Sequence, residues 1–464
     1  MAGWESCVGL ACWPGTLDGF TNRMIRYNEA LVQAQPRTEL PRSLGLLDSV
    51  AIVSGTMIGS GIFLVPNLVA RNVTSTGAIL AVWIVTGILS FFGALAYAEL
   101  GTMIPATGGE YVYLRESYGP IWAFLCGWTL FFTTLSASVA WLAINFSNYV
   151  GYFFPVAPPL NTVLALLLIA AITWVNYRGA TAGAAAQKMF TFLKLLGLAI
   201  LIAGAFSSQH RASTPAPAGG FSMGLFGVAM ISGVLAYDGW ATLSFVAGEV
   251  RNPKRNLPLA LAIGIALVMA VYVLTNLAYL RVLTVPEIAA SERVGARAAE
   301  RALGPLGASL VAFTVLISIT GSANGWVMTA PRMYFAQARD GLFPRTFGKI
   351  HARYQTPHFA ILLFGAWSAV LVLTGTYETL ASFAMFAAWV FYGLAAAGVL
   401  VLRRRNPDRP RPYRMWGYPV TLLLFIAVAV GFVVNTFVAA PGPAAMASLI
   451  MAAGVPVYFV WKRK

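Results

Sequence analysis

The feature that constrains this chain most is a succession of long apolar runs. They lie near 46–70, 77–104, 119–154, 160–177, 186–206, 222–250, 256–283, 304–338, 357–374, 378–401, 417–438 and 442–461, each bounded by Gly, Pro or charge. About 20 apolar residues are enough for a helix to cross a bilayer. Within hydrocarbon each unpaired N–H or C=O costs several kcal/mol, so a spanning segment must satisfy its own backbone. The expectation is an all-α polytopic membrane protein with 12 transmembrane helices, embedded in a lipid bilayer. Composition agrees. Hydrophobic residues make up 58% of the 464 positions and charged residues 10%, against about 25% charged in soluble domains. The third and eighth runs are long enough to tilt or to project beyond the membrane.

Charge sets the orientation. The net charge of +15 does not point to nucleic acid, because the basic residues recur in short clusters between the runs rather than on one compact domain. Of the 31 Lys and Arg residues, 24 fall in the N-terminal tail and the connections on its side, 6 on the opposite side, and Lys194 inside a run. The positive-inside rule then predicts both termini in the cytoplasm and a multi-pass protein of the cell (inner) membrane. Residues 1–45 read as a cytoplasmic tail without a cleaved signal peptide. Met24 is an alternative start to Met1.

Three cysteines make no disulfide framework. Cys7 and Cys12 lie in the tail, and Cys126 sits in an apolar run, where a thiol acts as a small hydrophobe. His210, His351 and His358 are far apart in sequence, so no metal set is visible and no cofactor is expected.

The first run is interrupted in its middle by Gly55-Thr56-Met57-Ile58-Gly59-Ser60-Gly61-Ile62-Phe63. Three glycines and a serine are poor helix formers. A broken helix is tolerable at membrane depth only where it is buried in protein or faces a polar cavity. The half-helix beginning after the break would offer free N–H groups and a positive dipole end to an anion. The carbonyls before it would suit a cation, so the two together suit a zwitterion. The competing explanation is close helix packing through small residues such as Gly55 and Gly59.

The sixth run carries Ala236-Tyr237-Asp238-Gly239-Trp240, again a glycine beside polar residues in mid-span. Interruptions at positions one and six fit two five-helix halves in inverted orientation, the arrangement that sets a transport site at the membrane midplane. The expected organisation is a first repeat over 46–206, a second over 222–401, and accessory helices with a short cytoplasmic C-terminus over 402–464.

Four separated motifs carry a family resemblance. They are Gly55 to Phe63; Tyr97-Ala98-Glu99-Leu100-Gly101-Thr102-Met103-Ile104-Pro105 with Gly108-Gly109-Glu110-Tyr111; Gly248-Glu249-Val250-Arg251-Asn252-Pro253 through Pro258; and Arg403-Arg404-Arg405-Asn406-Pro407-Asp408 with Arg411-Pro412-Tyr413. Together they resemble the amino acid–polyamine–organocation superfamily. Ala236 to Trp240, Asn324-Gly325 and Arg339-Asp340-Gly341 look most like its L-type amino acid transporter branch. The resemblance implies a five-plus-five inverted repeat with broken helices 1 and 6, and alternating access around a site between them. It also implies that a substrate carboxylate meets the backbone of Ser60 and Gly61. The ammonium group would meet carbonyls around Met57 on the first helix and Leu235, Ala236 or Asp238 on the sixth, with Ile58 and Gly59 also in the substrate-binding set.

Several polar positions carry further expectations. Lys194 is an ammonium in mid-span, costing at least ~2.5 kcal/mol there, and so is expected to face the protein interior. By resemblance it stands in for the sodium ion of coupled relatives, bonding carbonyls near Gly55. Uptake should then not need sodium; proton coupling is its alternative role. Asp238 is expected to pair with a cationic substrate side chain, or else to bond backbone N–H groups freed by the break. Leu235 replaces the aromatic gate common in the branch, and Tyr237 and Trp240 are the nearby gating candidates. Thr133, Thr134, Ser136 and Ser138 on the third helix and Asn324 on the eighth are candidate side-chain contacts, with interhelical bonding as the plainer role.

The outer connection from Gly151 to Asn161 has no cysteine. Animal L-type transporters use one there to bond an ancillary glycoprotein, so a stand-alone, prokaryotic transporter is expected. The isolated Glu99, Asp238, Glu249 and Lys194 are too dispersed for an intramembrane enzyme, and rings of charge for a channel are missing. A transporter-like nutrient sensor would carry a long soluble extension, whereas the chain stops at Lys464. The expected function is sodium-independent exchange of neutral and cationic L-amino acids, with a proton-coupled amino acid or polyamine symporter as the alternative.

Overall fold

The computed structural model describes residues 39–212, 222–375 and 377–462. The tail containing Cys7, Cys12 and Met24 lies outside the described residues. Among those described, nine helices are long and apolar enough to cross a bilayer, and a bent pair adds a tenth. Two shorter apolar helices, Met223–Ala236 and His358–Thr374, occupy the sixth and ninth expected places. No β-strand longer than an isolated bridge occurs among the described residues.

The first span is broken where the glycines stand. Its halves, Leu46–Met57 and Gly61–Asn72, meet at 45°. The turn is made at Ile58, whose φ −76° and ψ 84° leave the helical region. Gly55 is not part of the break. A Cβ there would overlap Thr191 and Gln187 of the fifth span, Ala180–Ser207, so Gly55 serves the close packing weighed against a binding role.

The sixth span is broken at the expected Ala236 to Trp240. Met223–Ala236 ends in a turn, followed only by the short helix Thr242–Phe245 and a 3-10 turn Ala247–Glu249. Gly239, at φ +112°, sets this path, a conformation that a side chain disfavours. The third span, Pro120–Val150, carries a π-helical stretch at Leu130–Leu135 that contains Thr133 and Thr134. Such single-turn π segments are frequent at functional sites.

One end of the bundle is fastened by charge and backbone. Leu44 and Val250 form a parallel bridge, with the Leu44 N–H donating to Glu249 O (3.0 Å) and the Arg251 N–H to Leu44 O (2.8 Å). Beside it, Arg332 grips Glu249 through two bonds of 2.8 and 3.2 Å, with both side chains fully buried. Arg403 grips Glu99 in the same bidentate way at 2.8 and 2.6 Å, and the Met415 N–H adds a third bond at 2.7 Å. Bidentate arginine–carboxylate pairs of this kind fix geometry as well as charge. Losing one partner of such a buried pair costs about 3–5 kcal/mol.

Candidate binding site at the paired helix breaks

A helix break leaves carbonyls behind it and N–H groups ahead of it, and buried ones must find partners. At the first break the carbonyls are all met by the protein. Ser54 O accepts from the Ile58 N–H at 2.9 Å. Gly55 O accepts from Lys194 Nζ at 2.8 Å and from Ser322 Oγ at 3.3 Å. Thr56 O accepts from Ser322 Oγ at 3.1 Å. Met57 O accepts from the Gly59 N–H and from the Tyr272 hydroxyl, both at 2.9 Å. Ile58 O takes Lys194 Nζ at 2.7 Å and Ser318 Oγ at 2.8 Å, and Gly59 O takes Ser318 Oγ at 3.1 Å.

The N–H side is different. The helix Gly61–Asn72 starts after Ser60, whose side chain makes no capping bond. The first backbone bonds to this turn come from Phe63 and Leu64, both to Ser60 O. Among the described residues, the N–H groups of Ser60, Gly61 and Ile62 therefore have no backbone acceptor. They point from a positive helix end.

Lys194 ties these elements together. It is fully buried and donates to three carbonyls, Gly55, Ile58 and Ser318, of which the last lies on the eighth span at 3.1 Å. An ammonium has three hydrogens, so its donor capacity is used up. Ser318 and Ser322, four apart on the Pro305–Thr329 helix, present a hydroxyl ladder to the same carbonyls. No motif singles out these serines in the sequence; their spacing of four in an apolar run was the available signal.

The second break lies against the first. A Cβ on Gly61 would stand 3.2 Å from Ala236 Cα, and one on Gly239 would stand 3.1–3.2 Å from Thr56 and Met57 atoms. Tyr272, on the seventh span Pro253–Val282, bridges the two: its hydroxyl lies 2.9 Å from Met57 O and 3.0 Å from Ala236 O. One phenol hydrogen thus serves two carbonyls. Tyr272 was not foreseen, and a phenol in mid-span was its only signal.

Around these backbones the expected residues separate. Met57, Ile58, Gly59, Ser60, Ala236, Tyr237 and Trp240 are buried, while Gly61, Leu235 and Asp238 keep accessible surface. Leu235 is the most open, at 39%. Asp238 Oδ1 accepts from the Tyr392 hydroxyl at 2.9 Å. Tyr237 turns away from the break to pack on Tyr272 (5.0 Å between ring centres) and Trp83 (6.2 Å). Trp240 packs on Tyr97 (4.9 Å) and Tyr392 (5.4 Å).

Asn324 sits elsewhere. Its amide nitrogen donates to Gln187 Oε1 (2.7 Å) and Gly183 O (3.2 Å), and its oxygen accepts from Asn176 (2.8 Å). This network joins the fourth, fifth and eighth spans, and leaves the amide no donor for a ligand. On the third span, Thr133 and Ser138 donate to Thr129 O and Thr134 O of their own helix.

Comparison with known proteins follows this geometry. A family model for amino acid permeases matches residues 44–461. The b(0,+)-type amino acid transporter 1 of Homo sapiens is 36% identical over 431 residues, covering 90% of this chain and 88% of that protein. Its Mus musculus counterpart is 37% identical over 387 residues, covering 82% and 79%. The large neutral amino acids transporter small subunit 2 of Mus musculus is 35% identical over 441 residues, covering 92% and 82%. With its motifs, its two broken spans and nearly its whole length accounted for, the chain belongs to the amino acid permease family, whose members are transporters rather than enzymes.

Proposed function

We propose that this protein is a sodium-independent exchanger of neutral and cationic L-amino acids, working by alternating access around the paired breaks. The observation that carries the proposal is the imbalance at the first break. Its carbonyls have protein donors, whereas the N–H groups of Ser60, Gly61 and Ile62 have no backbone acceptor among the described residues. A substrate carboxylate supplies the missing acceptor at a positive helix end.

The ammonium group of the substrate belongs on the opposite side, at Met57 and at Leu235, Ala236 or Asp238. There the single Tyr272 hydrogen is shared between two carbonyls, and an ammonium brings three more donors. Asp238 takes the charge of a basic side chain, and Leu235 shapes the accessible wall. Lys194 provides a fixed positive charge among carbonyls that would otherwise draw a metal cation, which supports sodium independence. Similarity to b(0,+)-type and large neutral amino acid transporters supports the mixed substrate class. Asn324 holds three spans in register rather than touching substrate.

The two broken spans, five helices apart, support an inverted repeat of 46–206 against 222–401. The distribution of Lys and Arg supports termini in the cytoplasm of a cell (inner) membrane. The outer connection 151–161 has no cysteine, which supports action without a disulfide-linked ancillary subunit.

The test is uptake of radiolabelled alanine, leucine and arginine into proteoliposomes in sodium-free buffer, with and without amino acid inside. Uptake that requires preloading is the expected result. Uptake into empty vesicles driven by a proton gradient would replace exchange with symport, and no transport of any amino acid would sink the proposal.

A further inference from the structure

Two of the protein's buried carboxylates have a cation. Glu99 has Arg403, and Glu249 has Arg332. Two acids deeper in the bundle have none: Asp238, held by the Tyr392 hydroxyl, and Glu110. Glu110 is fully buried with no cation beside it, its carboxyl facing the Tyr97 hydroxyl. It opens the helix Glu110–Tyr118, in the connection between the second and third spans, two residues after Gly108, whose N–H donates to Phe245 O at 2.9 Å.

Aromatic rings join the two acids. From Tyr392 at Asp238 the path passes to Trp240 (5.4 Å between ring centres), to Tyr97 (4.9 Å) and to Tyr113 (5.7 Å). The Tyr113 hydroxyl is buried without a hydrogen-bond partner among the described residues. A small cavity, with room for about one water, lies against these rings, lined by Tyr97, Tyr113, Trp240, Leu243, Ser244 and Leu257. Ring faces attract guanidinium and ammonium groups, and more strongly when water is excluded. Two carboxyl groups without a cation, linked by a run of packed rings, suit one kind of ligand group.

We infer that Glu110 is a second station for the positively charged side chain of a basic amino acid, between Asp238 and the cytoplasm. This rests on the proposed function and adds a residue that selects among substrates on the inner part of the path. In the closed conformation Glu110 keeps a proton, since burial pushes its carboxyl up to about 8. When the Phe245 segment moves away and the cation arrives, that proton leaves to cytoplasmic water and the carboxylate pairs with the guanidinium or ammonium. The groups that face Glu110 are Tyr97, Tyr113, Cys126, Tyr334, Tyr392 and Asp238. None is a cation.

The test compares wild type, Glu110→Gln and Glu110→Asp in proteoliposomes, measuring kcat/KM for arginine and for leucine at several pH values. The expected result is a loss of about tenfold for arginine in Glu110→Gln, the scale of one charge contact of ~1.4 kcal/mol. Leucine should stay within about twofold, so the same preparation reports its own folding. Glu110→Asp should retain most arginine transport. The wild-type ratio of arginine to leucine should rise with pH, and that of Glu110→Gln should stay flat. Equal losses for both substrates, or no loss for either, would overturn the inference. Wild type that carries leucine but no arginine would remove the cationic half of the proposed function and this station with it. Wild type that carries neither would remove the function itself.

Discussion

The ammonium nitrogen of Lys194 stands 2.7 Å from the carbonyl oxygen of Ile58, the residue at which the first span turns. The same nitrogen reaches Gly55 O and Ser318 O, so one side chain of the fifth span pins the first span to the eighth.

Lys194→Met should abolish exchange and lower the melting temperature of the purified protein. It leaves buried carbonyls short of a donor, at about 1–3 kcal/mol for each one left unsatisfied. Lys194→Arg should not rescue it, because the nitrogen lies close over Gly321 and a guanidinium needs more room. Uptake assays with a thermal melt on the same sample check both.

Tyr272→Phe removes the hydroxyl shared by Met57 O and Ala236 O. The expected cost in stability is modest, ~1 kcal/mol. The expected functional effect is larger, a KM several-fold higher for every substrate, because both carbonyls lose the donor that orients them. Concentration-dependent uptake of leucine and arginine measures it.

Asp238→Asn keeps the shape and the acceptor for Tyr392 but deletes the charge. Arginine transport should fall by about tenfold while leucine stays within about twofold. A matching fall in leucine would make Asp238 a structural carboxylate.

Gly239→Ala tests the geometry of the second break. At φ +112° a side chain costs roughly 1–2 kcal/mol or more, and its Cβ would press on Thr56 and Met57 at 3.1–3.2 Å. Transport should be lost and the melting temperature lowered, whereas Gly227→Ala, in open space on the preceding helix Met223–Ala236, should be neutral.

Glu110 also gives stability a pH dependence. Its carboxyl lies near 4.5 when exposed and about 8 in the fold, so between those values the folded protein holds the extra proton. Stability from this group is full below pH ~4.5 and is lost as pH rises through about 8. Thermal melts from pH 5 to 8.5 should fall more steeply for wild type than for Glu110→Gln.

Much of this architecture was legible from residues alone, for reasons that also mark the limit. Gly59, Ser60 and Gly61 in an apolar run announce a break, because hydrocarbon punishes every backbone group they free. Lys194 is conspicuous as a lone charge at membrane depth. The break in the sixth span is legible at Gly239, but the run of apolar residues after it does not show that the positive φ of Gly239 is followed only by short helical pieces. Tyr272, Ser318 and Ser322 carry ordinary residue types for a span, and their partners on the first span lie 215 to 267 positions away. Asn324 shows the converse. Its amide invites a ligand, but Asn176 and Gln187 lie on the face it turns to, and a single sequence does not show which face that is.

The bridge between Leu44 and Val250 has a mechanical meaning. It binds the strand of chain entering the first broken span to the strand leaving the sixth, just where both emerge at the same end of the bundle. While its two backbone bonds hold, the lower arms of the two spans form one lever with a common fulcrum. Displacing one arm then carries the other with it, and parting them costs both bonds, about 1 kcal/mol each.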